Sequence, residues 1–127
     1  MKQPTLSGFS RLSAAFKNSK AGFRDIWQRE EAFRQEVIAL VVLTPVAIWL
    51  ASGVGQFALL VGSILFLMIV EILNSAIEAT IDRIGLEKHE LSRIAKDLGS
   101  LAVLLALLFP AGIWGAVVLD VLGVISL

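Results

Sequence analysis

The sequence predicts an all-α integral membrane protein, three transmembrane helices preceded by an N-terminal amphipathic surface helix. Three observations lead there. Hydrophobic residues make up 57% of the 127 and charged residues only 17%, against about 45–50% and about 25% in an ordinary soluble domain. A chain this short leaves much of its surface wet, so it has no core large enough to hide the surplus. No charge falls within the 34 residues between Glu36 and Glu71, or within the 22 between Asp97 and Asp120; uncharged apolar runs beyond about 18 residues are membrane-span candidates. All eleven Lys and Arg lie in two stretches, residues 1–34 and 83–96. A soluble enzyme, a disulfide scaffold and a nucleic-acid-binding domain are excluded as first readings.

The chain reads as one membrane domain, 1–127, with no internal repeat and no cleavable signal. Residues 5–30 form the surface helix: Phe9, Leu12, Phe16, Phe23 and Trp27 recur at three-, four- and seven-residue intervals on one face. Arg11, Lys17, Lys20 and Arg24 lie around the rest of that helix, a pattern suited to the membrane interface plane. The uncharged run Val37–Val70 would make one helix of about 51 Å, far longer than a hydrocarbon core of about 30 Å. It must fold back, and Ala51-Ser52-Gly53-Val54-Gly55-Gln56 supplies the break. The spans therefore fall at 34–51, 56–83 and 91–122, with Pro45 and Pro110 expected to bend the first and third. The third also carries small residues four apart, Ala95/Gly99, Ala102/Ala106 and Ala111/Gly115, which allow close helix contact. With every Lys and Arg on two same-side segments, the positive-inside rule places the N-terminus in the cytoplasm and the C-terminus outside. The chain has no cysteine and one histidine, which removes disulfides, thiolate chemistry and multi-histidine metal centres.

The second span carries charges that a bilayer resists. Glu71, Asn74, Ser75, Glu78 and Asp82 share one helical face opposite Ile69, Ile72, Leu73, Ala76 and Ile77. An acidic residue at mid-bilayer costs at least about 2.5–3.5 kcal/mol. A bland alternative, an interhelical polar seam, would serve one such residue. Clustered carboxylates, however, repel unless a cation or proton offsets them. Glu71 lies 15 residues from Gln56, about 22 Å up the span and near its cytoplasmic edge. On the third span the uncharged run from Leu98 to Leu119, about 33 Å long, puts Lys96 and Asp97 at nearly that depth. Glu78 lies about 10 Å farther out, and Glu30 and Glu31 a similar distance outside the first span. This layering suits a reaction between a membrane-embedded lipid hydroxyl and a soluble charged donor. A carboxylate at headgroup depth accepts the hydroxyl proton, two others hold Mg²⁺ with a nucleotide phosphate, and a lysine steadies the transferred phosphoryl group.

No Walker A or protein-kinase signature is present, and Gly53-Val54-Gly55 lacks the βαβ context of a dinucleotide site. The residues instead resemble one family along nearly the whole chain. Glu30-Glu31-Ala32-Phe33-Arg34-Gln35-Glu36, Met68-Ile69-Val70-Glu71-Ile72-Leu73-Asn74-Ser75-Ala76-Ile77-Glu78-Ala79, Ile81-Asp82-Arg83-Ile84-Gly85, His89-Glu90-Leu91-Ser92 and Ala95-Lys96-Asp97-Leu98-Gly99-Ser100 are similar to the prokaryotic diacylglycerol kinases. The resemblance implies a homotrimer in the bacterial inner membrane that phosphorylates diacylglycerol with MgATP, at active sites formed between subunits. It implies Glu71 as catalytic base and Glu30 and Glu78 as ligands of Mg²⁺. Arg11, Asn18, Glu30, Glu78, Glu87, Lys88, His89, Lys96 and Asp97 would contact ATP. Arg11, Ala15, Trp27, Arg34, Trp49, Glu71, Ser100 and Trp114 would line the lipid site, with Asn74 and Asp82 in support. Asn18 stands where family members can carry Tyr, Lys88 replaces an aromatic, and Arg93 is shifted by one position.

Two other functions compete with diacylglycerol phosphorylation. Undecaprenol kinases of the same family tend toward K-D-x-A-A-G, whereas Lys96-Asp97-Leu98-Gly99-Ser100 matches the diacylglycerol side. An oligomeric proton or cation transporter using Glu71 would need a polar path to the outer face, yet residues 57–70 offer only Ser63 and residues 101–119 only the indole of Trp114.

Overall fold

The computed structural model describes residues 5–127 as four α-helices: α1 Gly8–Arg29, α2 Glu31–Leu50, α3 Val54–Ile84 and α4 Glu90–Val121. The last three are long and apolar enough to cross a membrane. Each boundary has a local cause. Glu30 alone separates α1 from α2; with φ −116° and ψ 110° it ends one helix and starts the next. Its N–H still donates to the Ile26 carbonyl at 2.9 Å, and its own carbonyl accepts from Arg34 N–H at 3.3 Å, so the corner loses little hydrogen bonding. Neither Gly nor Pro marks this corner. It is held by side chains instead: Ile26 and Phe33 are buried there, and Phe23 meets Phe33 edge-on at 5.5 Å while stacking on Trp27 at 5.9 Å.

The α2–α3 turn is closed by Ser52 N–H donating to Gln56 Oε1 at 2.9 Å. Between α3 and α4, His89 caps the new helix, its Nδ1 accepting from Leu91 N–H at 3.1 Å, which satisfies one of the free donors of a first turn. At the far end Gly123 adopts φ +72°. Its N–H donates to the Asp120 carbonyl and that of Val124 to the Leu119 carbonyl, each at 2.9 Å. This pairing is a Schellman stop, which favours a residue without Cβ at the left-handed position.

α3 is the central helix, packed on α2 and, antiparallel along its length, on α4. Away from the charged end the core is small, with Ala47, Leu60 and Val117 buried and Phe57, Ile113 and Trp114 around them. Polar groups there are spent on one acceptor: the Leu60 carbonyl takes Ser63 Oγ–H at 2.9 Å and the Trp114 indole N–H at 3.0 Å. Val41, Ile48, Ile69, Leu104 and Leu108 face outward, each more than half exposed. Apolar faces of this extent are those of a chain surrounded by lipid or by other chains. α1 likewise leaves Phe9, Leu12 and Phe16 exposed.

Trp114→Phe keeps the ring and deletes the interhelical hydrogen bond. It should lower stability by about 1 kcal/mol, read from reversible unfolding in mixed micelles; unchanged stability would mean that the bond to Leu60 contributes nothing to holding α4 on α3.

Candidate active site at the charged end of the bundle

Carboxylates from α2, α3 and the corner between α1 and α2 converge at one end of the bundle. Glu71 on α3 is the most enclosed, only 6% exposed. The charges of Glu30 and Glu78 both act on it, and Glu71 in turn acts on Glu36 of α2. Groups of one sign brought this close are stable together only when they share protons or a cation. Several polar atoms here are sealed from solvent without a hydrogen-bond partner among the described residues: Glu36 Oε2, Asn74 Oδ1 and Ser75 Oγ. Buried polar atoms are almost always paired, so these three, gathered beside a carboxylate cluster, stand out.

The acidic face of α3 is held by its own spacing and by α4. Asn74 Nδ2 donates to Glu78 Oε1 at 3.4 Å, four residues along the helix. One turn beyond Glu78, Asp82 accepts from Lys96 Nζ of α4 at 2.8 Å, with both side chains a little under half exposed. This corrects the depth expected for Lys96. The antiparallel register sets Gly99 against Asn74 and Phe66 against Phe109, so Lys96 stands at the level of Glu78 to Asp82 rather than beside Glu71. Asp97 points elsewhere and pairs with Arg93 at 2.7 Å.

Several hollows open on this end, and two of them border the carboxylates. One of about 700 Å³ lies between the α3–α4 loop and the two helices and is lined by Asp82, Glu87, Lys88, His89, Arg93 and Lys96. Another, about 280 Å³, lies between α1 and α3 and includes Arg29, Glu30 and Ser75. Among the described residues no group of three or more His, Cys, Asp or Glu can enclose a metal ion. Two carboxylates such as Glu30 and Glu78 still suit Mg²⁺, which is commonly held by one or two carboxylates plus phosphate and water.

The remaining predicted residues are dispersed. Arg34 extends back to the end of α1, where its guanidinium donates to the Trp27 carbonyl at 2.7 Å and supplies a cation to the negative end of that helix. Trp27 stacks on Phe23, and Ser100 is exposed beside Gly99. Arg11, Ala15 and Asn18 are exposed on α1; Arg11 is 19 residues from Glu30, about 28 Å along a helix. Trp49 and Trp114 lie at the opposite end of the spans, with Leu60 about 16 Å along α3 from Glu71. Sequence reasoning passed over Glu36 as a site residue, although it borders the same uncharged run as Glu71 and could have been found by that criterion.

A sequence profile for the family described as prokaryotic diacylglycerol kinase matches residues 17–118. A diacylglycerol kinase of Escherichia coli K12 is 48% identical over 108 residues, covering 85% of this chain and 88% of that protein. One from Pseudomonas aeruginosa is 46% identical over 113 residues, covering 89% and 92%, and one from Haemophilus influenzae 38% identical over 111 residues, covering 87% and 94%.

Removing the latch with Arg34→Ala should loosen the corner without unfolding the bundle. Amide hydrogen exchange should rise in residues 26–34 and stay native in α3 and α4; native exchange at the corner would show that Ile26 and Phe33 hold it without Arg34.

Proposed function

The chain belongs to the prokaryotic diacylglycerol kinase family, and from that premise we propose that it transfers the γ-phosphoryl group of ATP to the hydroxyl of 1,2-diacylglycerol, giving phosphatidate and ADP. Family membership supports the lipid-kinase class of activity. The observation that carries the finer reading is the burial of Glu71 at the end of a long uncharged run, with further carboxylates stacked outward from it on α3. A lipid hydroxyl is held at headgroup depth by its acyl chains, and a nucleotide stays in water. The two meet only at such an edge.

Each residue has a role that follows from its place. The Glu71 carboxylate takes the hydroxyl proton as the lipid oxygen forms its bond to the γ-phosphorus and the bond to the β-phosphate oxygen breaks. Glu30 and Glu78 would hold Mg²⁺, which when bound would supply charge neutralisation for the phosphoryl group. Asn74 orients Glu78. Lys96, steadied by Asp82, offers its ammonium to the phosphates, and Glu87, Lys88 and His89 border the hollow that takes the rest of the nucleotide. Asp97 belongs to the same nucleotide site once Arg93 yields it, an exposed and solvent-screened pair of this kind being weak. Trp49 and Trp114 lie deep enough to meet acyl chains rather than the headgroup.

The working unit in this reading is a homotrimer in the bacterial inner membrane, with N-termini in the cytoplasm and C-termini in the periplasm. The exposed apolar faces of the spans and the orphaned Ser75 and Glu36 atoms support assembly. So does the distance that keeps Arg11, Ala15 and Asn18 away from the carboxylates of their own chain, which leaves them free to serve a neighbour's site. Lys96-Asp97-Leu98-Gly99-Ser100 favours diacylglycerol over undecaprenol.

Purified protein in mixed micelles with MgATP should phosphorylate diacylglycerol faster than undecaprenol. Product from undecaprenol alone would reassign the substrate, and no product from either would end the kinase reading. Glu71→Gln should keep helicity and assembly yet lose at least about 10²-fold in turnover; near-native turnover would remove Glu71 from the role of base.

A further inference from the structure

Gly99 is the one buried residue in the charged half of α4, and it faces Asn74. A Cβ at that position would overlap the Asn74 carboxamide oxygen, so the α4 backbone itself forms a wall against that amide. The oxygen it presses on is sealed from solvent and accepts no hydrogen bond among the described residues. The amide nitrogen, on the other side, is turned to Glu78 Oε1. The opposite orientation would set the amide oxygen against a carboxylate and waste both N–H donors on a Cα, so wall and carboxylate together leave one arrangement. Asn74 thus gives up a buried acceptor to keep its donor on Glu78.

We propose that Gly99 is a positioning residue for the phosphoryl-transfer site: its bare backbone seats Asn74 so that the amide fixes the Glu78 carboxylate in the orientation that receives the divalent ion. The inference rests on the reading of Glu78 as a metal ligand. Groups that orient a metal's ligands without touching the metal typically govern 10–100-fold in its affinity, an order-of-magnitude range. Gly99 would do so from a helix that contributes no carboxylate to the ion.

The test measures metal affinity apart from turnover, by following the EPR signal of free Mn²⁺ during titration of the assembled protein in micelles with a non-hydrolysable ATP analogue. Gly99→Ala and Asn74→Ala should each weaken Mn²⁺ binding by about 10–100-fold. The double variant should bind no worse than Asn74→Ala alone, because without the amide the added methyl has nothing to displace. Where Gly99→Ala by itself does not fold, Asn74→Ala and the double variant still carry the comparison, the obstruction being gone from both. Native affinity in a folded single variant, or additive losses in the double, would overturn the proposal. Glu78→Gln separates the two layers. If it weakens Mn²⁺ binding and Gly99→Ala does not, Gly99 alone is misassigned; if Glu78→Gln binds Mn²⁺ as well as the parent, the metal-ligand reading falls and this inference with it.

Discussion

A carboxylate at the end of a long uncharged helix sets the terms for the rest of this structure. Glu71 closes a run of 34 residues without a charge, and its side chain is almost fully enclosed. Hydrocarbon resists such a group, so Glu71 is tolerable only at a polar boundary or beside compensating groups. The fold supplies a boundary. α3 extends past Glu71 for 13 further residues to Ile84, which lifts Glu78 and Asp82 outward, and the corner at Glu30 brings a carboxylate from the surface helix to the same end. α4 then contributes Lys96, paired with Asp82. Charge that would be costly anywhere else along the spans is gathered where lipid gives way to water.

The opposite half of the bundle is as informative for its lack of chemistry. A proton or cation carrier built around Glu71 needs polar groups that continue toward the other face. Within residues 57–70 of α3 and 101–119 of α4 the polar side chains are Ser63 and Trp114. Both donate to the Leu60 carbonyl, while Thr44 of α2 donates to the Leu40 carbonyl of its own helix. Ser63 and Trp114 fasten α3 to itself and to α4, and each of these three polar side chains is already engaged with a helix carbonyl. That arrangement suits an enzyme that works at one membrane surface.

Much of this was legible in the sequence, because bilayer spans and helical faces are written in composition and period. The uncharged runs announced the helices, the fold-back at residues 51–56 came from its small residues, and the offsets of Glu71, Asn74, Ser75, Glu78 and Asp82 put them on one face. The rest depended on which residues meet across helices. The corner at Glu30 carries no Gly or Pro and is made by Ile26 and Phe33, whose burial is a tertiary fact. The length of the uncharged run on the third span gave Lys96 the depth of Glu71; packing set it level with Glu78 to Asp82 instead. Glu36 read as the border of a span, and only the approach of α3 reveals that one of its oxygens is sealed beside Glu71. Gly99 read as one of several small residues, and its contact with Asn74 gives it a particular neighbour.

The central claim is that the reacting groups are layered across one membrane edge, with Glu71 in hydrocarbon's last turn and Glu78 and Lys96 in reach of water. The chain has no cysteine, so single cysteines placed beside these groups, at Val70, Ala79 and Ala95, can carry nitroxide labels without background. Power-saturation EPR in bilayers, comparing collisions with oxygen and with a water-soluble nickel chelate, reads each label's depth. The account predicts oxygen-dominated collisions at position 70, just inside the hydrocarbon boundary, and nickel-dominated collisions at 79 and 95. A label at position 70 near the bilayer centre, or labels at 79 and 95 shielded from the chelate, would contradict it.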